Sequence, residues 1–295
     1  MNKKEAMRNV WKLVIAATVL LMMVACGRAS LSEFDGGQAF RYAEEQMAFG
    51  PRIPGSEDHF KAGDSILEHL RSAGFETEEQ VFIYNGIVIR NLIGRWKRNG
   101  SAMPVILGAH YDTRPRADRD KEAPSEPVPG ANDGASGVAV LLELARIIAA
   151  NDYSREIWLV FFDAEDSGGI EGWDWIVGST YFVDHLQVTP ASVVIIDMVG
   201  DRELDLYLER NSNLDLAARL WGIADELDYD AFIDKEKHAL LDDHSPFLAR
   251  GFQAVDIIDF DYEYWHTTQD TIDKISPQSL EQVGRTVQVW IESLP

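Results

Sequence analysis

His and acidic residues in this chain recur where apolar runs stop. The run 104–109 leads into His110-Tyr111-Asp112, and the run 157–162 into Asp163-Ala164-Glu165-Asp166. The run 193–196 leads into Asp197. The run 254–258 leads into Asp259-Phe260-Asp261, with Trp265-His266 shortly after. Asp133 sits in a glycine-rich turn, Gly130-Ala131-Asn132-Asp133-Gly134, ahead of an amphipathic helical pattern. His110 and Asp112 are two positions apart, so an extended backbone puts both on one side. Glu165 and Asp166 are adjacent, and like charges so close are costly unless a cation or a proton intervenes. Adjacent side chains also point in different directions. One can ligate a metal while the other works beside it as a base. Asp197 ends a very apolar run and needs a partner where it is buried. Asp242-Asp243-His244 is a further acidic pair in a loop before Pro246. Imidazoles and carboxylates converging on one point call for a metal, zinc first.

Taken singly, each residue has a simpler use. Asp133 reads as a helix cap, Asp242 as part of a solvated turn, His266 as a packed side chain and Asp163 as structural. Gly130, Gly134 and Gly137 argue against a mere cap, because they let the backbone approach something closely. The set, not any member, carries the metal reading.

Convergence needs a scaffold. Short apolar runs bounded by turn signals read as buried strands of a parallel sheet, and such sheets bind ligands beyond their carboxyl ends. A helix is expected over 38–47, closed by Gly50-Pro51. Ser56 caps a second, with Phe60, Ile66, Leu67 and Leu70 on one face and Gly74 as the stop. Segments 81–84 and 87–93 pair as a hairpin across Asn85-Gly86. Residues 113–131 form a long polar loop, a kind that tends to be functional or mobile. Val138, Leu141, Leu142, Ala145, Ile148 and Ala149 mark a helix. Residues 167–178 form a second loop, rich in Gly and Trp. Helices near 179–186 and over 213–227, strands at 192–196 and near 204–208, and a last helix opened by Ser276-Pro277 complete the pattern. The alternation predicts a single α/β domain with a mixed, mostly parallel central sheet flanked by helices.

Hydrophobic residues make up 46% of the 295, ample for a core. The net charge of −22 excludes a nucleic-acid binder, since phosphate binding needs the opposite sign. An acidic surface attracts cationic peptides, including their amino termini. Lys3, Lys4, Arg8 and Lys12 precede an apolar stretch over 13–25, long enough for a signal peptide and short for a membrane span. It ends at Cys26, the only cysteine. This resembles a bacterial lipoprotein signal. The resemblance implies a signal peptide over 1–25, a lipid anchor at Cys26, a tether over 26–35 and a catalytic domain over 36–295. It also implies export to the cell envelope, facing the periplasm or the cell surface. Gly27 offers no Asp retention signal, which points to the outer membrane. No disulfide can staple such a mature chain.

His110-Tyr-Asp112, Gly130-Ala-Asn-Asp133-Gly-Ala-Ser-Gly137, Phe162-Asp-Ala-Glu165-Asp166, Asp197-Met-Val-Gly200 and Trp265-His-Thr267 together resemble the M28 zinc-peptidase superfamily. Arg52-Ile-Pro-Gly-Ser56, Asp242-Asp-His-Ser-Pro-Phe247 and Trp265 directly before His266 are most similar to its glutaminyl-peptide cyclotransferase branch. The resemblance spans about residues 36–295 and implies a zinc aminopeptidase-like fold. It implies that Asp133, Asp166 and His266 hold zinc, that Glu165 is the general acid/base, and that Asp197 and Asp242 form a carboxylate network beside it. In the two-zinc aminopeptidases the positions of His110 and Asp197 hold a second metal, with that of Asp133 bridging. Asp166 departs from the pattern, where many relatives have Glu.

Two activities follow from the resemblance. One is cyclisation of an N-terminal glutamine of peptides or proteins to pyroglutamate with one zinc, in a snug pocket walled by Trp265 and by Trp173 or Trp175. The other is an aminopeptidase with two zincs. The resemblance favours the cyclase. A non-catalytic surface binding protein is a third reading, opposed by the intact ligand set.

Overall fold

The structure is a computed structural model that describes residues 31–96 and 103–294. The expected signal segment and Cys26 lie outside the described residues. Among the described residues, no helix is long and apolar enough to cross a membrane.

Four strands form the parallel heart of a six-stranded sheet: β3 (Val105–His110), β4 (Ile157–Phe162), β5 (Ser192–Asp197) and β8 (Ala254–Ile258). Two more, β1 (Glu76–Tyr84) and β2 (Ile87–Trp96), are antiparallel to each other, and β2 runs antiparallel to β4. The order across the sheet is β1-β2-β4-β3-β5-β8. The sequences of the parallel strands explain their place. VILGAH, IWLVFF and AVDII are buried along their whole length. A strand covered on both faces has no use for polar alternation. β1 reads ETEEQVFIY and forms the sheet edge, where charges discourage pairing with other chains.

Side chains of alternate register feed two cores. Leu107, Leu159, Val194 and Ile257 face the larger one. It is covered by α1 (Gly36–Phe49), α2 (Glu57–Ser72), α3 (Ala135–Asn151), α5 (Leu214–Glu226) and α7 (Pro277–Ser293). Ile106, Val160, Val193 and Ile195 face the smaller core, closed by Phe182 of α4 (Val177–His185) and Phe247 of α6 (Ser245–Ala249). The result is the expected mixed, mostly parallel α/β sheet flanked by helices, and the chain from Glu33 onward is one compact unit.

The capping signals act as expected. Ser56 accepts from the His59 N–H at the start of α2, and Ser276 accepts from the Ser279 N–H at the start of α7. Three short elements carry no sequence signal. These are β7 (Phe232–Glu236), which pairs with β6 (Leu206–Leu208) in a separate two-stranded sheet, α6, and a 3₁₀ turn at Ile272–Lys274. In β7 only Phe232 is buried, so no alternation marks it.

Gly134 and Gly137 are close-approach positions. A Cβ on Gly134 would lie 2.6 Å from the His110 carbonyl oxygen, and one on Gly137 would lie 2.2 Å from that of Ile196. α3 is thus seated directly on the ends of β3 and β5. Backbone cannot give way as a flexible side chain can. Gly137→Ala is expected to destabilise by about 1–3 kcal/mol, measured as a lower urea midpoint at unchanged slope. Gly222→Ala, in the middle of α5 with open space around it, should instead stabilise by about 0.5–1 kcal/mol.

Candidate metal centre and pocket

The sheet delivers the chemistry to one end. His110 closes β3, Asp197 closes β5, Glu165 and Asp166 follow β4, and His266 lies in the loop after β8. Asp133 lies in the turn before α3. All six are buried. The two oxygens of Asp133 face two imidazoles: Oδ1 is 3.1 Å from His110 Nε2, and Oδ2 is 3.7 Å from His266 Nε2. His110 Nε2 is also 3.1 Å from Asp197 Oδ1, and His266 Nε2 is 3.0 Å from Asp166 Oδ1. Two groups that could hold a metal ion result, His110-Asp133-Asp197 and Asp133-Asp166-His266, sharing Asp133.

The donor atoms fit a cation. Asp166 Oδ2 is buried and meets no hydrogen-bond donor among the described residues. Leaving such an oxygen bare is costly, and a metal ion answers it. A third group, Asp242-His244-Asp256, lies beside the first two. There the imidazole stands between carboxylates, 3.2 Å from Glu209 and 3.5 Å from Asp256.

Buried carboxylates hold the backbone of the candidate site in place. Asp112 accepts from the N–H groups of Glu165 and Asp166 at 3.0 and 3.2 Å. Asp270 does the same for Asn132 and Asp133 at 2.8 and 3.1 Å, and also accepts from the Tyr262 hydroxyl at 2.7 Å. Asp112 is where its spacing from His110 put it, 3.5 Å from the ring's Nδ1. Asp163 is structural: it pairs with His59 at 2.8 Å and accepts from the Arg90 N–H at 2.7 Å. Ala164, Ile176, Met198 and His266 adopt left-handed backbone, with φ of 56°, 53°, 46° and 57°. Each such residue costs about 1–3 kcal/mol, and the strain gathers at the ligands or next to residues lining the hollow.

Burial sets the proton affinities. It pushes Asp166 up to about 6, helped by Asp133 and opposed by His266. It pushes Asp197 up to about 7 against the pull of His110. Burial raises Glu165 well above the usual carboxylate range despite His110, and the charges of Asp242, Asp166 and Asp243 raise it further. Asp133 goes the other way. His110, His266 and Arg114 outweigh its burial, so it stays ionised more readily than a free Asp.

A cavity of about 210 Å³ opens on these groups. Asp133, Glu165, Asp166, Asp197, Asp242 and His266 line its floor, and Trp175, Trp265, Phe260, Leu240, Leu241, Ile258 and Met198 wall it. Trp265 and Trp175 both line this cavity. Trp173 does not line this cavity, which corrects its expected place as a wall. A tight turn, with the Trp173 N–H on Ile170 O and the Gly169 N–H on Trp173 O, carries its ring to Tyr84. It lines a separate cleft with Ile53 and Ile87. The sequence reading missed Phe260, Leu240, Leu241, Met198, Arg114 and Asp118. Only the long 113–131 loop hinted at the last two. A larger acidic groove of about 720 Å³, bordered by Glu203, Asp205, Asp228 and Asp230, contains none of the metal-group residues.

Sheet, strand-end ligands and a shared aspartate define a class: an α/β scaffold with room for metal at the carboxyl end of its sheet. The pattern of Peptidase family M28 matches residues 91–291, and the chain belongs to that family. Aminopeptidase YwaD of Bacillus subtilis is 29% identical over 228 residues, which cover 67% of this chain and 43% of that protein. The chain thus spans less than half the length of that relative. A Zn-dependent exopeptidase from Parabacteroides distasonis superposes with a TM-score of 0.85 at 31% identity, covering 90% of this chain and 100% of that one. The glutaminyl cyclase of Bacteroides thetaiotaomicron superposes with a TM-score of 0.84 at 31% identity and the same coverage.

Metal must displace protons here, because zinc binds the ionised carboxylate. Asp166 keeps its proton up to about pH 6 in the metal-free protein. Zinc affinity should therefore fall as pH drops from 7.5 to 5.5, by about tenfold for each proton displaced per pH unit below that value. Chelator competition at the two pH values checks this, and a flat affinity would contradict the proton assignment.

Proposed function

We propose that the protein is a zinc-dependent glutaminyl-peptide cyclotransferase, closing an N-terminal glutamine into pyroglutamate with release of ammonia. One observation carries the reading. Besides Asp133 and Asp166, three buried carboxylates, Glu165, Asp197 and Asp242, border a small cavity with apolar and aromatic walls. Cyclisation is internal to the substrate. It needs a dry pocket for one short side chain and a proton moved between two nitrogens, with no water as nucleophile. The likeness to the Bacteroides glutaminyl cyclase supports the same reading.

Asp133, Asp166 and His266 would hold the metal. Bound zinc supplies Lewis-acid polarisation of the side-chain amide. Glu165 takes a proton from the α-amino nitrogen as that nitrogen bonds to the amide carbon. It then gives the proton to the departing nitrogen, which leaves as ammonia as its C–N bond breaks. A carboxylate of raised proton affinity suits both tasks. Burial keeps it raised and the charge of Asp242 adds to this, while Asp197 beside the cavity is itself pushed up to about 7. Trp175 and Trp265 close the walls and exclude water. Near neutral pH the acidic surface draws in the amino terminus of a peptide.

A second reading, aminopeptidase, rests on the shared Asp133, since a second metal between His110 and Asp197 would complete a two-metal site. Export and anchoring through Cys26 belong to the proposal as well, supported by the basic and apolar segments ahead of it.

The protein without its first 25 residues, given a Gln-initiated peptide and a Leu-initiated chromogenic amide, should close the first and leave the second intact. Hydrolysis of the amide with two tightly held zincs per chain would replace the cyclase with the peptidase. Glu165→Gln should lower turnover by about 10²–10⁴-fold while zinc stays bound. Full activity in that variant would sink both readings. His110→Ala should cost a peptidase its second metal and most of its rate, yet spare most of a cyclase's.

A further inference from the structure

The 113–131 loop delivers one side chain that no motif reading singled out. Arg114 is 3% exposed. Its guanidinium carries five N–H donors in a rigid fork, and the structure uses every edge of it. Nη1 donates to the Asp166 carbonyl at 3.0 Å and the Gly168 carbonyl at 3.3 Å, and pairs with Asp166 Oδ1 at 3.3 Å. Nε and Nη2 donate to the two oxygens of Asp118, each at 2.8 Å. Asp118 Oδ1 in turn lies 3.5 Å from His266 Nδ1. The flat face of the guanidinium lies 4.8 Å over Trp175, whose ring stacks on that of His266 at 6.1 Å with 8° between the planes.

We infer that Arg114 is a positioning residue that locks the Asp166-His266 side of the metal centre and the Trp175 wall of the pocket into one unit. Three consequences follow from its contacts. Asp166 Oδ1 is occupied by Arg114, while Oδ2 meets no donor among the described residues. The guanidinium thereby selects which oxygen is free for metal, and favours one-oxygen ligation. Asp118, gripped on both oxygens, favours the imidazole proton on Nδ1 and leaves the Nε2 lone pair on the side of Asp133 and Asp166. The cation over Trp175 fixes the angle of the wall that a bound side chain would meet. Asp166 is one methylene shorter than the Glu of many relatives, so a fixed backbone matters more here. Arg114 grips that backbone at two carbonyls, those of Asp166 and Gly168. Lysine cannot replace it, since a single ammonium lacks the planar fork.

The inference rests on Asp133, Asp166 and His266 holding zinc, and is independent of the choice between cyclase and peptidase. The test measures zinc affinity by chelator competition, with melting temperatures of metal-free and zinc-loaded protein, in wild type, Arg114→Ala, Arg114→Lys and Asp118→Asn. Arg114→Ala should bind zinc about 10–100-fold more weakly, the range for loss of a group supporting a ligand, and its melting temperature should rise less on zinc loading. Arg114→Lys should recover only part of the affinity. Asp118→Asn should weaken zinc by a smaller factor. KM should rise more in Arg114→Ala than in Asp118→Asn, because of the two only the arginine touches Trp175. Wild-type zinc affinity in Arg114→Ala would overturn the inference, and so would an equal drop in both melting temperatures. If that variant fails to fold, unchanged affinity in Asp118→Asn overturns it. A wild-type protein that binds no zinc would remove the metal reading itself, and this inference with it.

Discussion

Carboxylates repel one another, and this chain buries Asp133, Glu165, Asp166, Asp197 and Asp242 around a single small hollow. Such charges persist away from water only with protons, imidazoles, N–H donors or a cation between them. The surrounding structure supplies each of these. His110 and His266 sit between the carboxylates, Asp112 and Asp270 hold the backbone, and Arg114 brings a positive charge. Asp166 and Asp197 keep their protons to about 6 and 7. Asp166 Oδ2 still meets no donor among the described residues.

The same demand explains where the backbone is strained. A strand end can present one side chain toward the sheet's carboxyl face. Presenting Glu165 and Asp166 together requires a sharp turn at Ala164, whose left-handed φ of 56° lets both N–H groups reach Asp112. Met198 and His266 make similar turns after β5 and β8. Such conformations survive only where surrounding contacts overdetermine them. The deep two-faced core beneath the strands provides that rigidity. Close seating of α3 through Gly134 and Gly137 adds to it.

Floor and walls of the pocket obey different physics. The floor is polar and held by directional bonds. Most of the walls are apolar and come from three loops: Trp175 from one, Leu240 and Leu241 from another, Phe260 and Trp265 from a third. A shared floor under different walls would allow different chemistry on one scaffold. That is consistent with relatives of similar likeness being named aminopeptidase, exopeptidase and glutaminyl cyclase.

Much of this was legible in the residues. Apolar runs without alternation marked the buried parallel strands, and the His, Asp and Glu at their ends marked the site, because a doubly covered strand can expose chemistry only where it stops. Gly134 and Gly137 announced a close approach without naming the partner, which proved to be the backbone of His110 and Ile196. Local pattern could not assign the loops. Trp173 and Trp175 look alike in sequence, yet a tight turn sends one ring to Tyr84 and the other to His266. β7 has too little buried surface to show a period. Arg114 and Asp118 read as ordinary charges in a polar loop until folding sets them against Asp166 and His266. Periodicity and end-of-run chemistry are properties of neighbours along the chain, so the sequence determined the sheet and the residues at its strand ends. Wall, clamp and second-layer contacts are made by residues far apart along it, and only the tertiary structure decided them.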